Sequence, residues 1–197
     1  MGMHRYRRAD LAIQPWKNGG GVTREVVSVH GQTSAAGADF AWRVSIAHIA
    51  ASGPFSSYAG IDRVITLLEG PGVHLRSPDG AIDHRLDTPL APYAFPGEAA
   101  VHADLLGADC HDFNVMTRRA DCRAQVQVQR HAVTLPPSAQ GLFLVVGGHW
   151  TLRGDTDIHL DAGEGVWWHD GSALTWQLAP RGTDAALLSV LIEPTRP

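Results

Sequence analysis

Apolar and polar residues alternate along short segments of the chain, and turn residues separate these segments. In segment 40–49 every second residue from Phe40 to Ile46 is apolar, whereas Arg43 and Ser45 fall between them. Alternation with a period of two is typical of a β-strand whose two faces meet different surroundings. The pattern predicts strands at 22–29, 40–49, 63–69, 73–76, 98–106, 111–117, 123–130, 142–146, 149–153, 165–169, 173–178 and 185–192.

Two parts of the chain repeat the same order of elements. Segments 65–77 and 142–154 each hold an apolar strand, a glycine turn and a short strand that ends in Leu-Arg. A Gly-Glu turn and a closing apolar strand follow each of them, which is the layout of a cupin half. The sequence therefore predicts an all-β bicupin with one cupin-like half at 1–118 and another at 119–197. N-terminal strands are free to cross between these halves.

The charge balance argues against nucleic acid as a partner. The 197 residues carry 16 Lys and Arg against 20 Asp and Glu, which gives a net charge of −4. No basic surplus is present to neutralise a phosphate backbone. No run approaches the roughly 18 apolar residues of a membrane span, and the basic N-terminus lacks the apolar segment of a secretory signal. We expect a cytoplasmic protein without membrane contact.

Metal ligands of the usual cupin kind are missing from both halves. Cupins normally hold a metal through a strand of pattern H-x-H-x₃₋₄-E, but Leu75-Arg76 follows His74, and the second half has Trp150 at this place. The eleven histidines are scattered, and Cys110 and Cys122 form no C-x-x-C pair. We therefore expect neither a metal nor another cofactor.

Three arginines stand inside predicted strands of the first half: Arg24, Arg43 and Arg63. A guanidinium that faces a barrel interior is costly unless an anion pairs with it. Several such donors in one buried pocket suit the bidentate recognition of a carboxylate. Two competing interpretations stay open, namely that these faces meet solvent or that internal acids pair with the arginines. The candidate acids are Glu25, Asp62 and Asp112.

An ordered set of motifs resembles the HutD/Ves family. The most specific is segment 16–25, WKNGGGVTRE, and the others follow it in the family's order. These are FAWRVS at 40–45, GPFS at 53–56, GIDR at 60–63, FPGE at 95–98 and DFNVMTR at 112–118. The resemblance covers roughly residues 5–193, densely over 16–118 and loosely beyond. The family's shared residues correspond to Trp16, Asn18, Thr23, Arg24, Trp42, Arg43, Ser45, Arg63, Asp112, Asn114 and Arg118.

The resemblance implies a bicupin without the usual cupin metal ligands, and it also implies a function. HutD-like proteins are linked to bacterial histidine utilisation, which they are thought to regulate by binding a small acid of the pathway without catalysis. Urocanate and formyl- or formimino-glutamate are the ligand types that this context implies. The Ves branch of the family is described by a stress or cold response instead, and the sequence does not decide between the branches.

The predicted ligand site lies in the first half and holds a small anionic metabolite. Arg63, together with Arg43 or Arg24, is expected to bind the carboxylate. Asn18, Ser45 and Asn114 are expected to add neutral hydrogen bonds, while Trp16 and Trp42 wall the pocket. Ordinary core packing is the competing interpretation for both tryptophans.

Two further hypotheses stay open. The first is a bicupin enzyme, either a metal-dependent dioxygenase or an isomerase that acts on a small organic acid. The pair Glu98 and His102, or Asp112, would then serve as acid and base. The second is a homodimer that forms through an open barrel edge, because unpaired edge strands invite pairing.

Overall fold

The computed structural model describes residues 2–31, 39–169, 171 and 173–195. Over these residues the chain is almost entirely β-structure, with one short 3₁₀ helix at Arg8–Asp10. No helical segment in these ranges has the length and apolar character of a membrane span. The strands are β1 (Gly2–Arg7), β2 (Ile13–Pro15), β3 (Gly21–Val29), β4 (Trp42–Ile49), β5 (Gly53–Pro54), β6 (Ile61–Glu69), β7 (Val73–Arg76), β8 (Asp83–Leu86), β9 (Pro92–Pro96), β10 (His102–Leu105), β11 (Cys110–Arg118), β12 (Cys122–Gln129), β13 (Val133–Thr134), β14 (Gly141–Arg153), β15 (Asp157–Asp161), β16 (Glu164–His169) and β17 (Gln177–Pro194).

The chain divides into two compact units. The C-terminal unit comprises the described residues of Met1–Leu11 and Ala124–Glu193, and the N-terminal unit those of Ala12–Arg123 and Pro194–Pro197. The C-terminal unit is built on a seven-stranded sheet in the order β1-β16-β14-β17-β12, with β13 beside β17 and β15 beside β14. Strand β1 enters this sheet by antiparallel pairing with β16 along its whole length.

The interior of the C-terminal unit is filled with large apolar side chains. Trp150, Trp168 and Trp176 are at most 1% exposed and belong to one cluster. Phe143 lies among them and contacts two of the indole rings at centroid distances of 4.9 and 5.5 Å. Packing of this kind stabilises the unit through the burial of large aromatic surfaces.

Two sheets face each other in the N-terminal unit. The larger sheet has six strands in the order β2-β3-β4-β11-β6-β9, and the smaller has the order β5-β10-β7-β8. Ile65 and Leu67 of the larger sheet pack with Val73 and Leu75 of the smaller in one buried cluster. Strands β2 and β9 end the larger sheet, and the homodimer expected from an open edge stays a prediction.

Strand register in the larger sheet sets which residues face its interior. Strand β11 lies between β4 and β6, so that Met116 stands opposite both Arg43 and Arg63. Two residues away on β11, Asn114 stands opposite Ser45 and Ile65. Side chains alternate between the two faces of a strand, and these rows therefore point to the same side as the apolar cluster.

The expectation of a glycine turn in segment 142–154 is wrong. Strand β14 runs without a break from Gly141 to Arg153, and its pairing with β17 shifts register on both sides of Gly147. Gly148 has a φ of +70°, which favours glycine. The two glycines therefore form an irregularity within one long strand, because β-bulges also use glycine at such positions.

Candidate functional site

A cavity of about 690 Å³ opens on the interior face of the larger sheet in the N-terminal unit. Strands β3, β4, β6 and β11 contribute the inner lining, and the segments before β3 and after β5 complete it. Its lining residues are Gln14, Pro15, Trp16, Lys17, Asn18, Thr23, Arg43, Ser45, Ala47, Pro54, Phe55, Ser56, Tyr58, Arg63, Asp112, Asn114 and Met116. The cavity is within the size range of small-molecule sites, which is about 300–1,000 Å³.

Arg63 on β6 is the central cation of the cavity. It is 5% exposed, and its Cζ lies over the rings of Phe55 and Phe95, 5.1 Å from each centroid. Cation–π contacts of this kind hold the planar group in one orientation. Burial lowers the pKa of Arg63 to about 10, which leaves the side chain charged at neutral pH.

The Nε atom of Arg63 is buried and has no hydrogen-bond partner among the described residues. A buried donor without a partner costs about 1–3 kcal/mol. An aromatic ring does not replace an oxygen acceptor, so the contacts with Phe55 and Phe95 leave this donor without a hydrogen bond. The group is therefore positioned to accept an anion from the cavity.

Two side chains of β11 present unused acceptors to the same space. Asp112 and Asn114 are 2% and 7% exposed, and the Oδ1 atom of each is buried without a hydrogen-bond partner in the described part of the chain. Burial raises the pKa of Asp112 to about 7, although the charge of Arg63 opposes this rise. The cavity thus combines a free donor with two free acceptors.

Arg43 is already paired within the protein. Its Nε donates to Oε2 of Glu25 on the neighbouring strand at 2.6 Å. The pair lies partly in solvent, with side-chain exposures of 18% for Arg43 and 35% for Glu25. Arg63 is therefore the lining arginine whose charge is not neutralised by a direct ion pair.

The loop that leads into β3 supplies one rim of the cavity. Trp16 donates its Nε1–H to Thr23 Oγ1 at 2.7 Å, and Asn18 Oδ1 accepts the Gly20 N–H at 3.0 Å. Gly21 has no room for a side chain, because a Cβ there would lie 2.2 Å from the His48 carbonyl oxygen. This Cβ would also lie 3.2 Å from the indole of Trp16, so glycine at position 21 allows that ring to lie close to β3.

The structure brings six of the eight predicted ligand residues to this cavity. These are Trp16, Asn18, Arg43, Ser45, Arg63 and Asn114. Arg24 and Trp42 are not among the lining residues. Their strand neighbours Thr23 and Arg43 do line the cavity, and alternation points Arg24 and Trp42 to the opposite face, where Trp42 is completely buried.

Several lining residues were missing from the predicted ligand set. Phe55 and Tyr58 line the cavity, and Phe55 and Phe95 each contact the Arg63 guanidinium. Both phenylalanines stand in motifs shared with the family, at 53–56 and 95–98, and these motifs are the available signal. The sequence predicts Asp112 only as a shared residue, as a candidate ion-pair partner of the arginines and as a candidate acid or base.

The other acid–base candidates lie elsewhere. Glu98 binds the Arg119 guanidinium at 3.1 and 3.2 Å, and His102 lies 3.4 Å from Asp104. Neither lines the cavity, whose lining holds one carboxylate and no imidazole. Among the described residues, no group of three or more His, Cys, Asp or Glu side chains is arranged to hold a metal ion.

Comparisons with known proteins agree with this description. The HutD family model matches residues 8–186. Protein Ves of Escherichia fergusonii is 41% identical over 162 residues, which are 82% of this chain and 80% of that protein. The structure of HutD from Pseudomonas fluorescens SBW25, titled as a formate condition, superposes with a TM-score of 0.80 at 28% identity, covering 98% of this chain and 99% of that one.

A more distant neighbour identifies the fold alone. A cupin 2 conserved barrel domain protein from Leptotrichia buccalis superposes with a TM-score of 0.59 at 8% identity and covers 96% of each chain. The predicted all-β, cupin-like fold is therefore confirmed, as is the family resemblance. With a family model that spans nearly the whole sequence, the chain belongs to the HutD family.

Proposed function

We propose that the cavity of the N-terminal unit binds a small carboxylic acid as its anion. The observation that carries this proposal is the buried guanidinium of Arg63, whose Nε has no partner among the described residues while two aromatic rings contact the group. A planar fork of N–H donors matches the two oxygens of a carboxylate. An anion bound in the cavity, in the plane of the guanidinium, would satisfy the free Nε–H donor and neutralise the charge of Arg63.

The rest of the lining favours a ligand with further polar groups. Ser45 and Asn114 are buried and in register on β4 and β11, so that they offer neutral hydrogen bonds close to the carboxylate. Asn18 and Trp16 stand at the rim formed by the loop before β3. Apolar walls with a few convergent polar groups are typical of metabolite sites.

We infer that binding serves regulation rather than turnover, with the ligand a signal from histidine utilisation. Membership of the HutD family supports this role. Urocanate and formyl- or formimino-glutamate carry the carboxylate that Arg63 requires. The relative at 41% identity has the name Ves, whose branch is described by stress response, and a carboxylate signal is compatible with that setting as well.

Matched pairs of ligands test the proposed chemistry. Urocanate, N-formylglutamate and acetate are titrated calorimetrically, together with acetamide as the uncharged counterpart of acetate. At least one of the carboxylates is expected to bind, and acetamide is expected not to bind, because it lacks the charge that Arg63 recognises. If no carboxylate binds, or if acetamide binds as tightly as acetate, the proposal is wrong.

An enzyme remains the second candidate, since Asp112 is a carboxyl group in the cavity with a raised pKa. Groups of this kind serve as general acids or bases in many active sites. Proton NMR spectra of the same ligands, recorded over a day with the protein, distinguish the two functions. Unchanged spectra are expected for a sensor, and a new set of ligand resonances would favour the enzyme.

Glu25→Gln tests whether the ion pair with Arg43 limits anion binding. Glutamine keeps the shape but not the charge, and Arg43 then adds its positive charge to the cavity. Affinity for acetate is expected to rise by roughly two- to fivefold, the scale of a partly exposed ion pair. Asp87→Asn, which removes the partner of surface residue Arg85, is the calorimetric control and should leave affinity unchanged.

A further inference from the structure

The cavity contains one buried carboxyl group, and this group stands close to the proposed anion site. Asp112 follows the alternation of β11, and it shares its face with Asn114 two residues further along. Its Oδ1 is buried without a hydrogen-bond partner among the described residues. A carboxylate left in this condition is unusual, because buried charges in proteins are normally paired and fully hydrogen-bonded.

Few charges surround Asp112. Strand β6 contributes Arg63, whose electrostatic interaction with Asp112 acts on the pKa of both groups. Strand β4 contributes Arg43, which Glu25 of β3 already neutralises. The remaining titratable groups near it are Cys110 on its own strand, Tyr58 after β5 and the solvent-exposed Lys17 at the rim.

Binding of an anion changes the charge balance of this buried space. Without a ligand, one guanidinium faces one carboxyl group. With a ligand carboxylate on Arg63, two anions would share a single buried cation, and the repulsion between them is strong where water is scarce. Neutrality is restored when one carboxylate takes up a proton, as happens when two carboxyl groups share one site.

We propose that the cavity binds its carboxylate ligand together with one proton, and that Asp112 carries this proton. The inference rests on the proposed function, because it requires an anion on Arg63. Protonated Asp112 is neutral and gains an O–H donor, which satisfies its unused hydrogen-bonding capacity against the ligand. The bound acid is then sensed together with the pH.

The direction in which pH changes the ligand affinity follows from the pKa of Asp112 in the free and the ligand-bound protein. Without ligand this pKa is raised to about 7 by burial, and a second anion raises it further. Below the lower of the two values Asp112 is protonated in both states, and affinity is highest and independent of pH. Above it, affinity falls by up to about tenfold per pH unit until the higher pKa is passed.

The experiment titrates N-formylglutamate, whose own groups do not change charge between about pH 6 and 9. Calorimetry at about pH 8 in buffers of different ionisation enthalpy counts the protons taken up, and up to about one proton per ligand is expected. In Asp112→Asn, which keeps the shape and cannot titrate, we expect no proton uptake and an affinity that does not vary with pH. At about pH 8 this variant should bind up to about tenfold tighter than the wild type.

The outcomes separate this inference from the proposed function. Wild-type binding without proton uptake and with constant affinity across the pH range would overturn the inference and leave the proposed function intact. So would an Asp112→Asn variant that keeps the pH dependence of the wild type. Absence of wild-type binding of N-formylglutamate, urocanate and acetate at every pH would overturn the proposed function, and the inference with it.

Discussion

Replacing Arg63 with methionine is expected to weaken carboxylate binding by roughly 30-fold or more. Methionine fills similar space between Phe55 and Phe95 but has neither the charge nor the in-plane donors. Truncating one partner of a buried, hydrogen-bonded charge pair costs about 2–5 kcal/mol, which corresponds to a loss of roughly 30-fold or more in affinity. Calorimetric titration of Arg63→Met with whichever of urocanate, N-formylglutamate and acetate binds the wild type measures this loss.

Two further variants serve as controls for the Arg63→Met titration. Arg63→Lys keeps the charge but loses the planar fork, and intermediate binding is expected because Arg and Lys are not equivalent at bidentate sites. Arg85→Met removes an exposed arginine of the same unit, which pairs with Asp87 at 3.1 Å, and it should bind as the wild type does. If Arg63→Met keeps wild-type affinity, Arg63 is not the anion anchor.

Truncation of the two tryptophans in the family motifs is expected to affect different properties, namely stability for Trp42 and ligand binding for Trp16. Trp42 is completely buried on the face of β4 that points away from the cavity. Trp42→Ala should therefore lower the free energy of unfolding by about 3–5 kcal/mol, the usual cost of truncating a buried aromatic residue. Trp16 lines the cavity and is only partly buried, and Trp16→Ala should mainly weaken ligand binding.

Denaturant unfolding followed by circular dichroism compares the two variants, and calorimetry measures their binding. A large loss of stability in Trp16→Ala with unchanged binding would assign it to the core instead. Equal stability of Trp42→Ala and the wild type would contradict the burial of that side chain. Ligand binding to Trp42→Ala is measured at a temperature well below its midpoint of thermal unfolding, where the variant is folded.

The alternation of residues in the sequence carries much of the information about the site. Arg63 shares its face with Ile65 and Leu67, which are apolar; this pattern is compatible with an arginine that points inward, but it does not exclude a strand face that meets solvent. The structure places all three on the interior side of the larger sheet. Alternation also places Arg43 and Trp42 on opposite faces of β4, so the expectation that both line one pocket conflicts with the pattern, and the structure places only Arg43 at the cavity.

The surroundings of Arg63 could not be predicted in the same way. Phe55 and Phe95 are 40 residues apart in the chain, with Phe55 before Arg63 and Phe95 after it. Their contact depends on how the strands pair rather than on any local pattern. The pairing of Arg43 with Glu25 is similar, because a register shift between Glu25 and Val27 helps to set which residues of β3 and β4 are neighbours.

Strand β1 has a consequence for how the chain acquires its structure during synthesis. Residues 2–7 are synthesised well before their partners in β16, which are residues 164–169. The N-terminal unit, built chiefly from Ala12–Arg123, has most of its strands available before β16 is made. Because domains tend to fold as they emerge, β1 has to wait without its partner strand while the segment between them is translated.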